Sequence, residues 1–334
     1  MPSLREIPVM DNINFEHRTD LSALHAAVNE IKTQMGKVIV GQNDFIELLI
    51  VALLSDGHVL IEGVPGVAKT LTAKLLAKTV STGFSRLQFT PDLMPSDVLG
   101  TSVYNFKTSE FEFYKGPIFS NVILIDEINR SPAKTQSALF EVMEERQISI
   151  EGKRFDMPPP FIVLATQNPI EQEGTYRLPE AQLDRFLFKI EVDYPTLEDE
   201  VRILERFERQ TDRQTLIDVQ PVLSIQDLLQ YRQQIQSLHI SPQLMRYIAQ
   251  IVQKTRNQKG VYLGASPRAS LSLLRSAKAL AAMQGRDFVA PEDIQFLAKP
   301  VMRHRLILSP EKEMEGGTAD DVLQQIIKGI EVPR

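Results

Sequence analysis

The sequence contains no cysteine among its 334 residues. Disulfide bonds and thiolate metal sites are therefore excluded, and a cytoplasmic location is expected. No apolar run is long enough to cross a bilayer, since the longest, residues 45–54, is interrupted by Glu47. The amino-terminal residues contain no apolar segment typical of a secretory leader. We therefore expect no direct membrane insertion.

The chain also lacks an excess of positive charge, with 37 Lys and Arg against 43 Asp and Glu and a net charge of −6. Proteins that bind nucleic acid through its phosphates usually carry a basic surface. The largest basic cluster, residues 303–305, is small. The five histidines, at positions 17, 25, 58, 239 and 304, are scattered without the spacing of zinc ligands. We therefore expect neither nucleic acid nor zinc as a partner.

Up to residue 195 the sequence alternates apolar strand candidates with helical stretches. Continuous apolar runs such as 122–125 are typical of strands buried on both faces of a parallel sheet. The alternation predicts an α/β domain with five parallel strands over residues 1–195. The five strand candidates are 59–61, 84–90, 122–125, 161–165 and 186–192.

From residue 196 to 334 the pattern is helical. Residues 197–256 are rich in Gln, Glu, Arg and Leu at helical spacing, and further helices are predicted to begin at Ser266-Pro267-Arg268 and Pro291-Glu292-Asp293. We therefore predict a second, all-helical domain over 196–334.

Two hairpins are predicted to interrupt the α/β domain, at residues 101–115 and 148–158. The first carries aromatic residues at alternate positions, including Tyr104, Phe106 and Phe111. By the usual behaviour of large apolar side chains, these three rings are expected to face the core.

The most informative segment lies between the first strand candidate and a helix predicted from Leu71. Glycines there let backbone N–H groups approach phosphate oxygens, and the helix start adds partial positive charge. In such a loop a lysine reaches the β- and γ-phosphates and a threonine hydroxyl binds Mg²⁺. The predicted phosphate-binding residues are Gly63, Val64, Pro65, Gly66, Val67, Ala68, Lys69, Thr70 and Leu71.

One position departs from the usual pattern G-x-x-x-x-G-K-[ST], because Ala68 stands where the second glycine is expected. Alanine is the smallest replacement, and we expect it to fit a helical conformation there. A chance Gly-Pro turn before a helix is the alternative interpretation of the segment.

Two carboxylates end the apolar strand at 122–125. Beside a phosphate loop, Asp126 is expected to hold Mg²⁺ through the water shell of the ion, and Glu127 is expected to polarise the water that attacks the γ-phosphate. The alternative is a strand end that meets solvent, where acidic residues are common. The pairing with Lys69 and Thr70 favours the catalytic interpretation.

A third apolar strand, 161–165, is followed by Asn168. Ligands of open parallel sheets lie beyond the carboxyl ends of the strands, so Asn168 is expected near the γ-phosphate, orienting the attacking water. A strand-ending asparagine in a routine turn before Pro169 is an equally good interpretation.

Taken in order, these motifs resemble those of AAA+ ATPases, and specifically the MoxR family. The resemblance extends from about residue 36 to the carboxyl terminus. The sequences Thr-Gln-Asn-Pro at 166–169 and Pro-Glu-Ala-Gln-Leu-Asp-Arg-Phe at 179–186 are its most specific parts. The other segments that carry it are 41–42, 57–66, 89–97, 125–130 and 266–268.

The resemblance implies roles for further residues. Asn168 matches the sensor-1 position, Arg185 the arginine finger that reaches a neighbouring subunit's nucleotide, and Arg268 the sensor-2 position on the lid. Whether Arg268 serves its own nucleotide or a neighbour's stays open at this point. The segment containing Val40 and Gly41 is similar to the one that packs near the adenine.

Each transferred arginine has an ordinary alternative. Arg185 could form a surface ion pair with Asp184 or Glu180, which is common and weak. Arg268 could be an ordinary residue of a first helical turn, although a cation there opposes the helix dipole.

The resemblance also implies an activity and its partners. It implies an ATPase that binds ATP and Mg²⁺ in a homo-oligomeric, hexameric ring and acts as a chaperone on a client protein. MoxR relatives resemble chaperones for clients with a von Willebrand factor A domain, including in metal-cofactor insertion, and the hairpins of this group lie at the ring face or pore. The alternatives are a motor acting on nucleic acid, which the acidic balance disfavours, and a nucleotide-binding scaffold without hydrolysis.

Overall fold

The computed structural model describes residues 19–150, 152–168, 178–209 and 219–333. His17, Glu151, Pro169 and residues 210–218 of the helical stretch lie outside the described residues.

Eleven strands occur in the described part of the chain. They are β1 (His58–Gly63), β2 (Phe84–Gln88), β3 (Gly100–Asn105), β4 (Glu110–Lys115), β5 (Val122–Asp126), β6 (Gln147–Ile150), β7 (Lys153–Asp156), β8 (Ile162–Gln167), β9 (Phe186–Val192), β10 (Val261–Leu263) and β11 (Ile307–Leu308).

Five of these strands form one parallel sheet in the order β2-β5-β8-β1-β9. This confirms the predicted five-stranded α/β architecture. All parallel neighbours in such a sheet end at the same edge, so the segments that follow β1, β5 and β8 are brought together there.

The central strands are apolar because both of their faces are covered. Every residue of β5 is buried. Val122 and Leu124 pack into one hydrophobic cluster, and Ile123 and Ile125 pack into a second one on the other face. This alternation follows the two-residue period of a strand.

Thirteen α-helices are described, together with single 3₁₀ turns at Ile128–Arg130 and Arg303–Arg305. The helices are α1 (Ser22–Gly36), α2 (Asn43–Leu54), α3 (Lys69–Thr79), α4 (Pro95–Leu99), α5 (Ala133–Glu145), α6 (Glu180–Leu183), α7 (Leu197–Arg209), α8 (Ile225–Ser237), α9 (Pro242–Arg256), α10 (Pro267–Met283), α11 (Pro291–Met302), α12 (Pro310–Met314) and α13 (Ala319–Lys328).

Several helices of the second half begin where the sequence supplies a capping side chain. Ser224, Ser241, Ser266 and Thr318 each accept a hydrogen bond from a backbone N–H of the first turn that follows. Such caps satisfy N–H groups that have no partner within the helix. The helical lid is thus as predicted, with one addition, the two-stranded antiparallel ribbon of β10 and β11.

Both predicted hairpins are present, as β3–β4 and β6–β7. The expectation that the rings of the first hairpin face the core is wrong. Tyr104, Phe106 and Phe111 are 40%, 88% and 60% exposed. They contact one another instead, with ring centroids 5.1 and 5.2 Å apart. A two-stranded hairpin projecting from the domain has no second layer against which its outer face could pack.

Candidate active site

The loop between β1 and α3 has the backbone of a phosphate-binding loop. Gly66 has φ +89°, a conformation that favours glycine. Gly63 is required for a different reason: a Cβ there would lie 2.5 Å from the backbone oxygen of Val192 on β9. The loop is therefore shaped both by its own turn and by close packing on the neighbouring strand.

Ala68 does not have the conformation expected from the sequence. It precedes the first residue of α3 and has φ +57° and ψ +22°, in the left-handed region. The expectation that alanine fits a right-handed helical conformation here is therefore wrong, and the observed conformation is strained for alanine. The strain of an L-residue there is about 1 kcal/mol, which explains why glycine is common at this point of the motif.

Lys69 opens α3 and points back into the loop. Its Nζ donates a hydrogen bond to the backbone oxygen of Gly63, at 2.5 Å. Partial burial lowers the pKa of Lys69, and the nearby carboxylates of Asp126, Glu127 and Glu62 oppose that shift. The Lys69 ammonium thus lies between the loop and the carboxylates that follow β5, where it could bind a phosphate oxygen.

Asp126 lies at the carboxyl end of β5, and the residue is only 8% exposed. Its Oδ2 accepts a hydrogen bond from Nε of Arg86 at 2.6 Å, and its Oδ1 accepts one from the hydroxyl of Thr166 at 3.3 Å. A buried carboxylate requires such partners, because an unpaired charge in this position is costly.

Glu127 follows Asp126 with φ +57°, again in the left-handed region. Its backbone N–H donates to the hydroxyl of Thr166 at 3.0 Å, and its carboxylate accepts from Gln88 at 3.0 Å and from Arg130 at 2.9 Å. Strained backbone of this kind is concentrated at functional sites. The turn directs two consecutive carboxylates toward the loop, which a continued strand would send to opposite faces.

These groups surround one cavity of about 410 Å³. Most of the predicted phosphate and metal ligands line it, as do Glu127 and Asn168. The lining residues are Pro65, Gly66, Val67, Ala68, Lys69, Thr70, Leu71, Arg86, Gln88, Asp126, Glu127, Thr166 and Asn168.

Four predicted binding residues lie beside this cavity rather than on its wall. Gly63 and Val64 line an adjoining cavity of about 300 Å³. Val40 is buried, and Gly41 lies against the carboxylate of Asp199 on α7. The next residue, Gln42, donates to the backbone oxygen of Val67 at 3.2 Å, which ties this segment to the phosphate loop.

Arg185 lies at the opposite edge of the sheet from the phosphate loop. It immediately precedes β9, whose first residue, Phe186, pairs in parallel with His58 at the start of β1, whereas the loop follows Gly63 at the end of β1. The six residues of β1 separate the two edges by about 17 Å. Arg185 therefore cannot reach a nucleotide in the cavity of its own chain.

Arg268, the second residue of α10, is at the same edge as Arg185. Its Nη2 donates to Oε1 of Glu144 at 2.8 Å, and Nε of Arg185 is 3.9 Å from Oε2 of the same carboxylate. Arg185 also donates to the backbone oxygen of Phe140. Both arginines line a separate cavity of about 320 Å³.

Asp184 fixes this edge to the lid. Its carboxylate accepts a hydrogen bond from Ser266 at 3.0 Å and pairs with Nε of Arg305 at 2.6 Å. The Arg305 side chain is 3% exposed. Asp184 therefore links the segment that contains Arg185 to the start of the helix that contains Arg268.

The sequence did not identify several residues of these sites. Arg86 and Gln88 could have been suspected as alternate polar residues on a strand candidate, but nothing in the sequence indicates that β2 lies beside β5. Thr166 and Glu144 were missed for the same reason, since their roles follow from register and helix length.

The donors fit a magnesium ion of the kind that accompanies nucleotides. Thr70 offers a hydroxyl and Asp126 a carboxylate in one cavity, and Mg²⁺ usually takes few protein ligands together with water and phosphate oxygens. In the described part of the chain, no group of three or more His, Cys, Asp or Glu could hold a metal by itself.

Comparisons with known proteins agree with this geometry. Residues 58–188 match the ATPase family associated with various cellular activities, and residues 253–326 match the AAA lid domain. A crystal structure of a candidate ATPase from Cytophaga hutchinsonii superposes with a TM-score of 0.86 at 43% identity, over 94% of this chain and 97% of that one. Fold and site together define an AAA+ ATPase.

The relatives narrow the class. Chaperone MoxR1 of Mycobacterium tuberculosis is 44% identical over 94% of this chain and 84% of its own length. Protein MoxR of Paracoccus denitrificans is 32% identical over 88% of this chain and 93% of its own. The chain belongs to the MoxR family of AAA+ ATPases.

No helix in the described ranges is long and apolar enough to span a bilayer.

Proposed function

We propose that this ATPase hydrolyses ATP at sites completed by two copies of the chain, within a ring that remodels a client protein. In this proposal Lys69 and Thr70 bind the phosphates, Asp126 holds the metal, and Glu127 with Asn168 positions the attacking water. The arrangement of these groups around one cavity supports those assignments.

The observation that carries the proposal is the separation of the two arginines from the cavity. Arg185 and Arg268 lie together at the far edge of the sheet, about one strand length from the phosphate loop. We therefore assign both to the nucleotide of a neighbouring copy, including Arg268, for which the sequence left both possibilities open. An arginine supplied in trans contributes roughly 10³-fold or more to related phosphoryl transfers.

Such an interface is heterologous, because the cavity face of one copy meets the arginine face of the next. Interfaces of this kind close into rings when the rotation between copies permits. A hexamer is the ring that we expect from the family resemblance.

Magnesium would be held by the hydroxyl of Thr70 and, through its water shell, by the carboxylate of Asp126. It would neutralise charge on the β- and γ-phosphates. The other roles are filled by side chains: Lys69 binds phosphate oxygens, and Glu127 accepts a proton from the attacking water.

The exposed aromatic cluster of the first hairpin supports a role in client contact. Phe106 is 88% exposed at the hairpin tip, against Tyr104. Exposed apolar groups of this kind often mark sites of interaction. We propose that this surface binds a client with a von Willebrand factor A domain, in the ring pore or at its face, during maturation that includes metal-cofactor insertion. A cytoplasmic location stays a prediction.

A motor acting on nucleic acid is the alternative. The net charge of −6 argues against it, and relatives named MoxR match most of the chain. The two functions are separated by ATPase stimulation: we expect a purified von Willebrand-type protein to raise turnover and single-stranded DNA to have no effect. Stimulation by DNA alone would favour the motor.

The shared site is tested by measuring ATPase activity per chain against protein concentration, with assembly followed by sedimentation. We expect activity to rise as oligomers form, because dilute chains lack the arginines of a neighbour. Full activity per chain in a sample that sediments as a monomer would contradict the proposal.

The client is sought with the Glu127→Gln variant, which should retain ATP and thereby hold the client. Capture in ATP is compared with capture in ADP, and with a Glu127→Gln, Phe106→Ser variant that lacks the tip of the aromatic cluster. We expect an ATP-dependent partner that is lost with Phe106→Ser.

A further inference from the structure

Arg86 is a member of the nucleotide cavity for which the phosphate-loop motif provides no role. It lies on β2, where it pairs with Leu124, two residues before Asp126 on the adjacent strand. Gln88, two residues further along β2, is therefore on the same face. The two side chains divide the carboxylates between them, Arg86 on Asp126 at 2.6 Å and Gln88 on Glu127 at 3.0 Å.

The contact with Arg86 uses the carboxylate that is assigned to the metal. The Asp126 side chain is 12% exposed, while that of Arg86 is 55% exposed. The pair thus joins a half-exposed cation to a nearly buried carboxylate. The second carboxylate oxygen is already bonded to Thr166, so the Arg86 guanidinium occupies the remaining oxygen.

A guanidinium and a magnesium ion cannot share this place without strong repulsion. Both are cations attracted to the same carboxylate, and like charges a few ångströms apart in a partly buried site repel each other even when Mg²⁺ contacts the carboxylate through a water molecule. Binding of Mg²⁺ at Asp126 therefore requires that Arg86 leave it. Because more than half of the Arg86 side chain is exposed, it can move away without disturbing the core.

We propose that Arg86 is the counter-ion that Mg²⁺ displaces from Asp126, and that it sets how strongly nucleotide binding depends on magnesium. With Arg86 in place, a metal-free nucleotide meets a neutralised Asp126 instead of a bare carboxylate. When Mg²⁺ accompanies the nucleotide, the free energy needed to break the Arg86–Asp126 pair reduces the affinity that the metal adds. Both effects reduce the difference between the two affinities. The inference rests on the proposed function, because it concerns the same site.

The test measures the dissociation constant of a fluorescent ATP analogue that is not hydrolysed, once in EDTA and once in Mg²⁺. The dissociation constant in EDTA divided by that in Mg²⁺ reports how strongly the metal strengthens nucleotide binding. We expect Arg86→Gln to raise this ratio about tenfold, the factor that corresponds to about 1.4 kcal/mol. Arg86→Lys, which keeps the charge, should stay near the wild-type ratio.

Arg154→Gln is the matched control. Arg154 forms an ion pair of similar length with Asp156, at 2.7 Å, and its side chain is 66% exposed, but it does not line the nucleotide cavity. Its ratio should equal that of the wild type. Thermal unfolding of each variant verifies folding.

The outcomes separate this inference from the proposed function. If Arg86→Gln weakens binding by the same factor with and without Mg²⁺, or leaves the ratio unchanged, Arg86 does not compete with the metal and the inference fails while the nucleotide site stands. If the wild-type chain binds no nucleotide in either condition, both the proposed function and the inference fail.

Discussion

Arg185 and Arg268 approach opposite oxygens of one carboxylate, that of Glu144, although 82 residues of chain lie between the two arginines. Arg185 precedes the last strand of the sheet and Arg268 begins a lid helix. Their convergence brings together two cations from different domains at one edge. Such a pair is suited to an anion delivered by another molecule.

The first prediction concerns the carboxylate that anchors both segments. Asp184→Asn should lower the free energy of unfolding by about 3 kcal/mol, because it leaves the charge of Arg305 buried without its counter-ion. The Arg305 side chain is only 3% exposed. The measurement is urea unfolding at neutral pH.

Asp156→Asn is the control, since it removes the same charge from a pair whose two side chains are 66% and 67% exposed. Exposed pairs of this kind contribute less than about 1 kcal/mol. Equal losses in the two variants would mean that the Asp184–Arg305 pair does not hold the lid.

The second prediction concerns the strained residue of the phosphate loop. Ala68→Gly should raise the free energy of unfolding by up to about 1 kcal/mol, because glycine adopts positive φ without strain. Ala73→Gly, inside α3, is the comparison and should lower stability by about 1 kcal/mol or more. A loss of stability in Ala68→Gly similar to that in Ala73→Gly would contradict the left-handed conformation at Ala68.

The third prediction concerns the pH dependence of stability. Burial, reinforced by Arg146, lowers the pKa of His58 from 6.5 to about 4. The folded protein therefore holds His58 neutral: its Nδ1 accepts from the Val163 N–H at 3.0 Å, and its Nε2 donates to the Met143 oxygen at 3.2 Å. Because the unfolded chain binds this proton more readily, stability is retained above pH 6.5 and lost as the pH falls toward 4.

Linkage gives a loss of about 2 kcal/mol from this residue between pH 7 and pH 5. The measurement is urea unfolding at both pH values for the wild type and for His58→Gln. The variant should be less stable at pH 7 but should lose less on acidification. An identical loss in both proteins would show that His58 is not held neutral by the fold.

The fourth prediction concerns nucleotide binding. Lys69→Ala should weaken the binding of fluorescent ADP at least about tenfold, because a charge-assisted contact with phosphate contributes about 1.5–3 kcal/mol. Lys74→Ala removes an exposed lysine from the same helix and should leave the affinity unchanged. Unchanged affinity in Lys69→Ala would count against the assigned phosphate loop.

Much of the fold follows from the sequence because the sheet is buried on both faces. Runs such as 122–125 are apolar at every position, and glycine, proline and serine mark where strands and helices end. The residues at the carboxyl edge, including Lys69, Asp126 and Asn168, were therefore predictable as neighbours, since parallel strands end together.

The rest depends on lateral strand order and on helix packing, which a single sequence does not encode locally. Arg86 reaches Asp126 because β2 lies beside β5, and Glu144 reaches both arginines because α5 returns to the far edge. The exposed rings of Phe106 and Phe111 were missed for a related reason, since alternation along a hairpin does not reveal whether a second layer covers it.

The most direct test of the shared site mixes two inactive variants, Lys69→Ala, which keeps Arg185, and Arg185→Ala, which keeps the phosphate loop. Mixed rings are verified by capturing one tagged variant and detecting the other. A chain carrying both substitutions, mixed with Arg185→Ala, is the control and should stay inactive.

In an equal mixture of the two single variants, about one quarter of the heterologous interfaces should contain an intact loop facing an intact arginine. The account predicts ATPase activity that neither variant has alone, rising toward that fraction of the wild-type rate. Verified mixed rings without activity at any ratio would contradict a site built from two copies.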